Sequence, residues 1–386
     1  MDQQVLEHYS KAGVEEGPLN DFLSSTSVPS FRYVRLNPRM NTNETLASLP
    51  KPSPVPWLPS STNFYAIPNR TINTLDPYVD GSLYGMDCSS GAAVAALRLE
   101  TVNKPVRVLD LCCCPCAKLC MIVDSLEHLS GCEVVGVDIS GNRLNVGKKI
   151  ARKYLKGAAC EVRLYQADGT TFPGPADDIS ASPSLVFDSR AEAQETNQGE
   201  RKKMNKSAKS RETKRLAELM SSSPPSPDDK FDFVLIDAEC STDGALNQVK
   251  HKIKAGKETA TDSIREKLMD EESLTSLQLK LLTNGFANLK DGGSLVYSTC
   301  SLSENQNENV VRKFLSSRPD ANVASVDFSS SSPPPSIPGS LPGTLRFQPT
   351  LGPTQDSKSF SGSGFFLCKI SKRRQGEEAD NDDDGG

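Results

Sequence analysis

Four apolar segments of this chain end in or close to an aspartate, and this pattern constrains the fold more than any other feature. They are residues 106–111, 133–138, 161–165 and 231–237, which lead to Asp110, Asp138, Asp168 and Asp237. Helix-forming stretches alternate with them, so the chain reads strand–helix–strand–helix–strand, an insertion, then strand–helix–strand. The alternation predicts an α/β fold with a Rossmann-like, doubly wound, mostly parallel sheet, in which ligands bind beyond the carboxyl ends of the strands.

Two of the predicted strands deliver a cysteine to that edge. Residues 295–302 form an apolar run that ends at Cys300, and Asp237 is followed by Cys240. A single intracellular cysteine is usually a small buried hydrophobic residue. Two thiols and one carboxylate at neighbouring strand ends instead form a candidate catalytic site. Asp138, at the end of the second strand, is placed like the acid that binds ribose hydroxyls in Rossmann-like sheets.

The loop after the first strand is rich in cysteine and has three interpretations. Cys113 and Cys116 at a helix N-terminus are typical of a thioredoxin-like redox pair. With Cys112 and Cys120 they could form a zinc site, but no second CxxC or paired histidine supplies further ligands at the usual spacing, and we expect no metal. The loop could also curl around an anionic ligand, with Lys118 pointing inward.

Composition divides the chain into an ordered and an unordered part. Hydrophobic residues make up 36% and aromatic residues 6%, and six of the acids behind the net charge of -5 lie in the last eleven residues. We expect an N-terminal subdomain and linker over residues 1–80, a catalytic domain over 81–372 with a disordered insertion at 174–229, and a disordered acidic tail at 373–386. Arg32, Arg35 and Arg39 with Tyr33 would either face RNA or form a solvated strand face.

The eleven cysteines, with no secretory signal, favour reduced thiols and an intracellular protein of the nucleus, nucleolus or cytoplasm. No apolar run approaches eighteen residues, so we expect no membrane span, and we expect a monomer.

Several motifs together resemble one enzyme family. Residues 110–118, read DLCCCPCAK, resemble the S-adenosylmethionine (SAM) loop D-x-C-A-A-P-G-G/A-K of the Sun/RsmB-type RNA cytosine-5 methyltransferases. Residues 237–241 resemble that family's D-A/P-P-C-S motif, and residues 297–309 resemble its Y-S-T-C-S…E-N-E motif. Gln278 stands where the family has a helix glutamine, and Arg346 and residues 364–366 are similar to its closing R-x-x-P…G-F-F.

The resemblance implies a class I methyltransferase fold, RNA (tRNA or rRNA) as substrate and SAM as cofactor. It implies that Cys300 attacks C6 of cytosine, that Cys240 assists release of the product, that Asp237 holds the base edge and that Lys118 completes the charged floor. The residues that it places against SAM are Cys112, Cys113, Cys114, Pro115, Cys116, Ala117, Lys118, Asp138, Arg143, Asp168 and Asp237.

Two positions depart from the family pattern. Cys116 replaces a glycine, and its side chain would crowd the close approach to SAM. Glu239 replaces a proline and adds a charge beside Cys240. Two alternative functions follow: an RNA-binding relative on the same fold with weak or no activity, and a thioredoxin-like oxidoreductase that uses Cys113 and Cys116.

Overall fold

The protein contains two β-sheets and eleven α-helices in the part of the chain that the structure describes. The computed structural model describes residues 3–24, 31–68, 71–173, 184–190, 192, 230–254, 259–330, 332–349 and 362–374. The helices are α1 (Gln3–Lys11), α2 (Glu16–Ser24), α3 (Thr42–Ser48), α4 (Asp76–Asp80), α5 (Cys88–Ala95), α6 (Ala117–Ser125), α7 (Gly141–Tyr154), α8 (Leu246–Lys254), α9 (Thr259–Met269), α10 (Glu271–Ala287) and α11 (Glu308–Ser316).

The larger sheet has ten strands and carries the strand ends that the sequence singled out. Its strands are β5 (Arg107–Asp110), β6 (Glu133–Asp138), β7 (Glu161–Gln166), β8 (Ser184–Asp188), β9 (Phe231–Asp237), β10 (Leu289–Thr299), β11 (Ala321–Ala324), β12 (Ser336–Pro338), β13 (Leu345–Phe347) and β14 (Phe365–Lys372). The spatial order is β12-β13-β14-β10-β9-β5-β6-β7-β8, and β11 pairs with β14.

Five adjacent strands, β10, β9, β5, β6 and β7, run parallel, and the flanking strands β14 and β8 run antiparallel to them. The prediction of a Rossmann-like, mostly parallel sheet is therefore confirmed. The parallel register pairs Ser298 with Asp237, so the turns that follow β9 and β10 leave the sheet side by side.

Helices cover both faces of this sheet because successive strand residues point to opposite sides. Val108 belongs to the core formed with α5, α6 and α7, whereas its neighbour Leu109 belongs to the core formed with α10 and α11. Ser140 caps α7 through its side-chain oxygen, which accepts a hydrogen bond from the Arg143 amide.

Strand β10 begins earlier than the sequence indicates. Gly292 and Gly293 lie within β10, where the register with β9 shifts between Leu289 and Ser294. Glycine is common at such irregularities because it tolerates the backbone conformation, and Gly292 has φ +79.

The smaller sheet has the order β2-β3-β1-β4 and corrects the expectation for its arginines. Its strands are β1 (Phe31–Leu36), β2 (Ser53–Pro54), β3 (Phe64–Pro68) and β4 (Leu83–Gly85). Arg35 and Arg39 do not form an RNA-facing or solvated surface, because both guanidinium groups pair with the buried carboxylate of Asp124 on α6, at 2.5 Å each. Arg32 remains exposed. The two arginines attach the small sheet to the large domain.

Helices α1 and α2 pack against α8, α9 and the turn after β10. Their apolar side chains Val5, Tyr9 and Leu19 share a core with Leu246 and Leu302. Residues 3–24 thus contact the domain that carries the two cysteines.

An ordered strand lies inside the expected insertion. β8 pairs with β7 and buries Phe187, so the prediction of disorder over 174–229 is wrong for this part. Residues 174–183 and 193–229, and residues 375–386 of the acidic tail, lie outside the described residues. Among the described residues, no helix is long and apolar enough to cross a membrane.

Candidate active site

The two cysteines singled out by the sequence lie in contact. Cys300 Sγ and Cys240 Sγ are 3.2 Å apart, and both thiols are free. Cys240 is buried, whereas Cys300 is partly exposed. The contact with Cys240, burial and the Asp237 carboxylate all raise the pKa of Cys300 well above its ordinary value. Cys300 is therefore a neutral thiol in the resting protein at neutral pH.

The backbone at Cys300 is fixed by two glycines. The Gly244 amide donates to the Cys300 carbonyl at 2.9 Å, and the Gly364 amide donates to the Gly244 carbonyl at 2.9 Å. A Cβ on Gly244 would come within 2.8 Å of the Cys300 oxygen and 2.5 Å of the Gly364 oxygen. Only glycine allows the turns after β9 and β10 to approach so closely.

Polar residues after β10 hold the Cys300 turn from the other side. The Thr299 hydroxyl contacts the Asn307 amide oxygen at 2.5 Å, and Asn307 Nδ2 donates to the Ser301 carbonyl at 2.9 Å. Arg346 donates to the Leu302 carbonyl at 2.8 Å and pairs with the buried Glu308. Arg346, from the closing motif, thus helps to hold the turn that follows Cys300.

A carboxylate and an ammonium group lie beside the thiols. Lys118 Nζ donates to Asp237 Oδ2 at 2.7 Å, and the Ser298 hydroxyl donates to Asp237 Oδ1 at 3.1 Å. Burial lowers the pKa of Lys118, but the Asp237 carboxylate and its hydrogen bond outweigh burial and raise the pKa above its ordinary value. Lys118 stays charged and fixes the orientation of Asp237.

Asp110, at the end of β5, is a buried carboxyl group beside this pair. Burial and the negative charge of Asp237 raise the pKa of Asp110 to about 8. Its Oδ2 is buried without a hydrogen-bond partner among the described residues. An orphaned acceptor of this kind is expensive unless a ligand supplies a donor.

The cysteine loop connects β5 to α6. Cys116 precedes the first turn of α6 with φ +76, the left-handed region that glycine prefers. Its side chain is fully buried, and a Cβ on Gly147 of α7 would lie 2.6 Å from Cys116 Sγ. The sulfur therefore fills a space that Gly147 leaves open, which corrects the expectation that it would crowd the ligand edge.

Asp138, at the end of β6, holds the cysteine loop. Its carboxylate accepts from the amides of Ser140 at 2.9 Å and Cys114 at 3.3 Å, and it pairs with Arg143 at 3.1 Å. Burial raises the pKa of Asp138 despite these contacts. Hydrogen bonds from the neighbouring thiols, assisted by Arg143, lower the pKa of Cys114 to about 4.

Asp168 makes its hydrogen bonds locally, and none of them is to the site residues described above. It is exposed after β7, and its carboxylate accepts from the amide and the hydroxyl of Thr170, each at 2.8 Å. The structure thus brings together Cys300, Cys240, Asp237 and Lys118 as one group, and Asp138, Arg143 and Cys114 as another.

The charge of Glu239 is offset by a neighbour. Lys267 Nζ contacts the Glu239 carboxylate at 3.1 Å and the Cys240 carbonyl at 3.0 Å. Gln278, fully buried on α10, donates to the Glu239 carbonyl at 2.8 Å. Both side chains position the segment that carries Cys240.

Sequence reasoning missed a buried charge beneath the thiols. Asp243 accepts from His8 Nε2 at 2.7 Å and from the Leu302 amide at 2.9 Å, and Tyr9 donates to its carbonyl at 2.8 Å. Burial raises the pKa of Asp243, but the bond to His8 outweighs burial and lowers it below the ordinary value. No local signal links His8 to a residue 235 positions later.

The donor set at the strand ends fits SAM. Asp110 offers an unpaired acceptor to an ammonium group, the amides of the first turn of α6 are free of intrahelical partners and suit a carboxylate, and Asp138 suits ribose hydroxyls.

Comparison with known proteins finds one family that is similar to part of this chain. Residues 190–355 match the model of the 16S rRNA methyltransferase RsmB/F family. The ribosomal RNA small subunit methyltransferase F of Shewanella piezotolerans is 32% identical over 142 residues, which is 37% of this chain and 26% of that protein. The enzyme of the same name from Erwinia tasmaniensis is 24% identical over 310 residues, 78% of this chain and 50% of that protein. The chain therefore spans half or less of these relatives.

A solved structure of similar fold is NSun6 from Pyrococcus horikoshii with SFG. Its TM-score is 0.63 at 16% identity, and the similarity covers 96% of this chain and 98% of that chain. The sheet order and this similarity show a class I methyltransferase fold. Over residues 190–355 the chain is thus similar to the RsmB/F family, the Sun/RsmB type that its motifs resemble.

Proposed function

We propose that this chain transfers a methyl group from SAM to C5 of a cytosine in RNA through a temporary bond between Cys300 Sγ and C6 of the base. The observation that carries the proposal is the 3.2 Å contact between Cys300 and Cys240 beside the Asp237–Lys118 pair. A structural role for these thiols would not require two of them at the open edge of the sheet.

A thiol is needed because C5 of cytosine is a weak nucleophile. Attack of the Cys300 thiolate on C6 forms a sulfur–carbon bond and moves an electron pair towards C5. SAM supplies the electrophilic methyl group that C5 then takes. Loss of the C5 proton returns the electron pair, breaks the sulfur–carbon bond and frees the methylated base.

The thiol must lose its proton before it attacks. Because the pKa of Cys300 is raised, the thiolate fraction, and with it the rate of attack, increases with pH above neutrality. Cys300 is partly exposed, so the proton can pass to solvent.

Cys240 and Asp237 would have different tasks in the reaction, one in product release and the other in binding the base. Cys240, which lies next to the sulfur that forms the bond, would assist loss of the C5 proton and so the release of product. Asp237, held by Lys118 and Ser298, would accept a hydrogen bond from the amino edge of cytosine. A base reaches this recessed edge only when it is single-stranded or flipped out of a duplex.

The cofactor would be held by residues around the cysteine loop. Asp110 would pair with its ammonium group, the first turn of α6 would receive its carboxylate, Asp138 would accept from the ribose, and Asp237 would lie near the methyl group. Arg143 keeps Asp138 in place, and Asp168 would reach the adenine edge only if it gave up its bonds to Thr170.

The test is methyl transfer to RNA. The full chain is incubated with transcripts of tRNA and rRNA and with SAM labelled in the methyl group, and the RNA is digested to nucleosides. We expect labelled 5-methylcytidine with the native chain and none with Cys300→Ala. Binding of SAM and RNA without any labelled nucleoside would contradict the proposal and favour a non-catalytic RNA-binding relative.

A further inference from the structure

Three sulfur atoms converge in the loop between β5 and α6. The Sγ atoms of Cys113, Cys114 and Cys116 all lie within 4.8 Å of one another, and those of Cys113 and Cys114 are 3.9 Å apart. All three thiols are free and buried. The family pattern has alanine, alanine and glycine at these positions, and the proposed methyl transfer gives the three sulfurs no task.

The surrounding structure leaves room for these sulfurs. A Cβ on Gly136 of β6 would lie 2.9 Å from Cys113 Sγ, and a Cβ on Gly147 of α7 would lie 2.6 Å from Cys116 Sγ and 3.3 Å from Cys114 Sγ. The space at Gly136 is shared with Leu119 and Leu164, at 2.5 and 2.8 Å, whereas the two atoms nearest to the Gly147 position are both sulfurs of the group. The thiols thus occupy a built pocket.

The spacing suits a trigonal metal site. A metal–sulfur bond of about 2.3 Å places three sulfurs in a plane around one ion about 4.0 Å apart. Among the described residues, no further histidine, cysteine, aspartate or glutamate joins the group, so a tetrahedral zinc ion would lack its fourth protein ligand. Thiolates select soft ions, and Cu(I) is the soft ion that accepts three of them.

We propose that Cys113, Cys114 and Cys116 form a three-thiolate site for one Cu(I) ion. On binding, those of the three groups that are still protonated release their protons to solvent, each sulfur forms one bond to copper, and copper stays in the +1 state. The resulting negative charge lies next to the Arg143 guanidinium, which contacts the Cys114 carbonyl. The site does not depend on the proposed methyl transfer.

The test is an anaerobic titration of the full chain with Cu(I) in competition with a Cu(I)-specific chelator. We expect one tight ion per chain, with three sulfur ligands at about 2.3 Å by X-ray absorption. Cys113→Ala, Cys114→Ala and Cys116→Gly should each weaken binding by more than the roughly 10–100-fold that loss of an outer partner costs. Cys116→Gly is the safest variant for folding because glycine accepts the left-handed backbone at this position.

Two control variants test whether Cu(I) binding is specific to the three sulfurs. Cys120→Ala removes a buried thiol of α6 outside the group and should bind Cu(I) like the native chain. Cys300→Ala breaks another close pair of sulfurs, that of Cys240 and Cys300, and should also leave the tight site intact. Absence of a tight site in the native chain, or a site lost in Cys300→Ala and kept in folded Cys116→Gly, would overturn the proposal.

Discussion

The Arg35 guanidinium of the small sheet contacts the Asp124 carboxylate of α6 at 2.5 Å, and each side chain is only 1% exposed. Arg39 reaches the other oxygen of the same carboxylate, so one buried acid binds two arginines from the N-terminal subdomain. Removal of a partner from a buried pair leaves an uncompensated charge, which is more costly than loss of the contact itself.

Arg35→Ala should therefore lower the free energy of unfolding by about 3–5 kcal/mol. The matched control is Arg32→Ala on the same strand, where the side chain is exposed and the change should be within about 0.5 kcal/mol. Urea unfolding of both variants measures the difference. Arg39→Ala should fall between them, because the Arg39 side chain is 8% exposed and that of Arg35 only 1%. Equal stability of the Arg35 and Arg32 variants would show that the Arg35–Asp124 pair does not attach the small sheet to α6.

Asp110 should make stability depend on pH. Its folded pKa of about 8 lies above the usual value for an aspartate, so the folded state holds a proton that the unfolded state has lost between these two values. This contribution is present at low pH and is lost as pH rises towards 8. Asp110→Asn, which cannot ionise, should gain stability relative to the native chain between pH 5.5 and pH 8.5 in urea unfolding. A constant difference across this range would argue against a neutral Asp110.

Asp138→Ala should weaken the binding of SAM. Loss of a charged acceptor costs on the order of 1.5–3 kcal/mol, which corresponds to about tenfold or more in affinity. Calorimetry measures the effect, and Arg143→Ala is the control, because it removes a partner of Asp138 and leaves the carboxylate. We expect a smaller loss in the control, and unchanged affinity in folded Asp138→Ala would place the cofactor elsewhere.

The central strands could be predicted from the sequence because their signals are local. The bounds of β6 and β9 agree with the structure at both ends, since each is a short apolar run that stops at an aspartate. The thiols Cys240 and Cys300 could also be placed together, because neighbouring parallel strands deliver them to one edge. Site residues that belong to local sequence motifs could therefore be predicted from the sequence.

Contacts between distant residues could not be predicted. β11, β12 and β13 have three or four residues each, and tertiary pairing at the sheet edge defines them rather than their own propensity. Arg35 and Asp124 are 89 positions apart, and a charged residue on a strand is more often exposed than buried. The space around the three sulfurs depends on Gly147, which reads in sequence as an ordinary helix interruption.

The most direct test of the central claim is the fate of the covalent bond in the two cysteine variants. Cys240→Ala removes the thiol that assists release, so the bond between Cys300 and the RNA should form and persist as a slowly migrating band on a denaturing gel. Cys300→Ala removes the attacking thiol and should give no band, and the double variant should give none either, because attack precedes release. A band with Cys300→Ala alone would exchange the two roles, and no band with either single variant, in protein that binds SAM and RNA, would contradict the account.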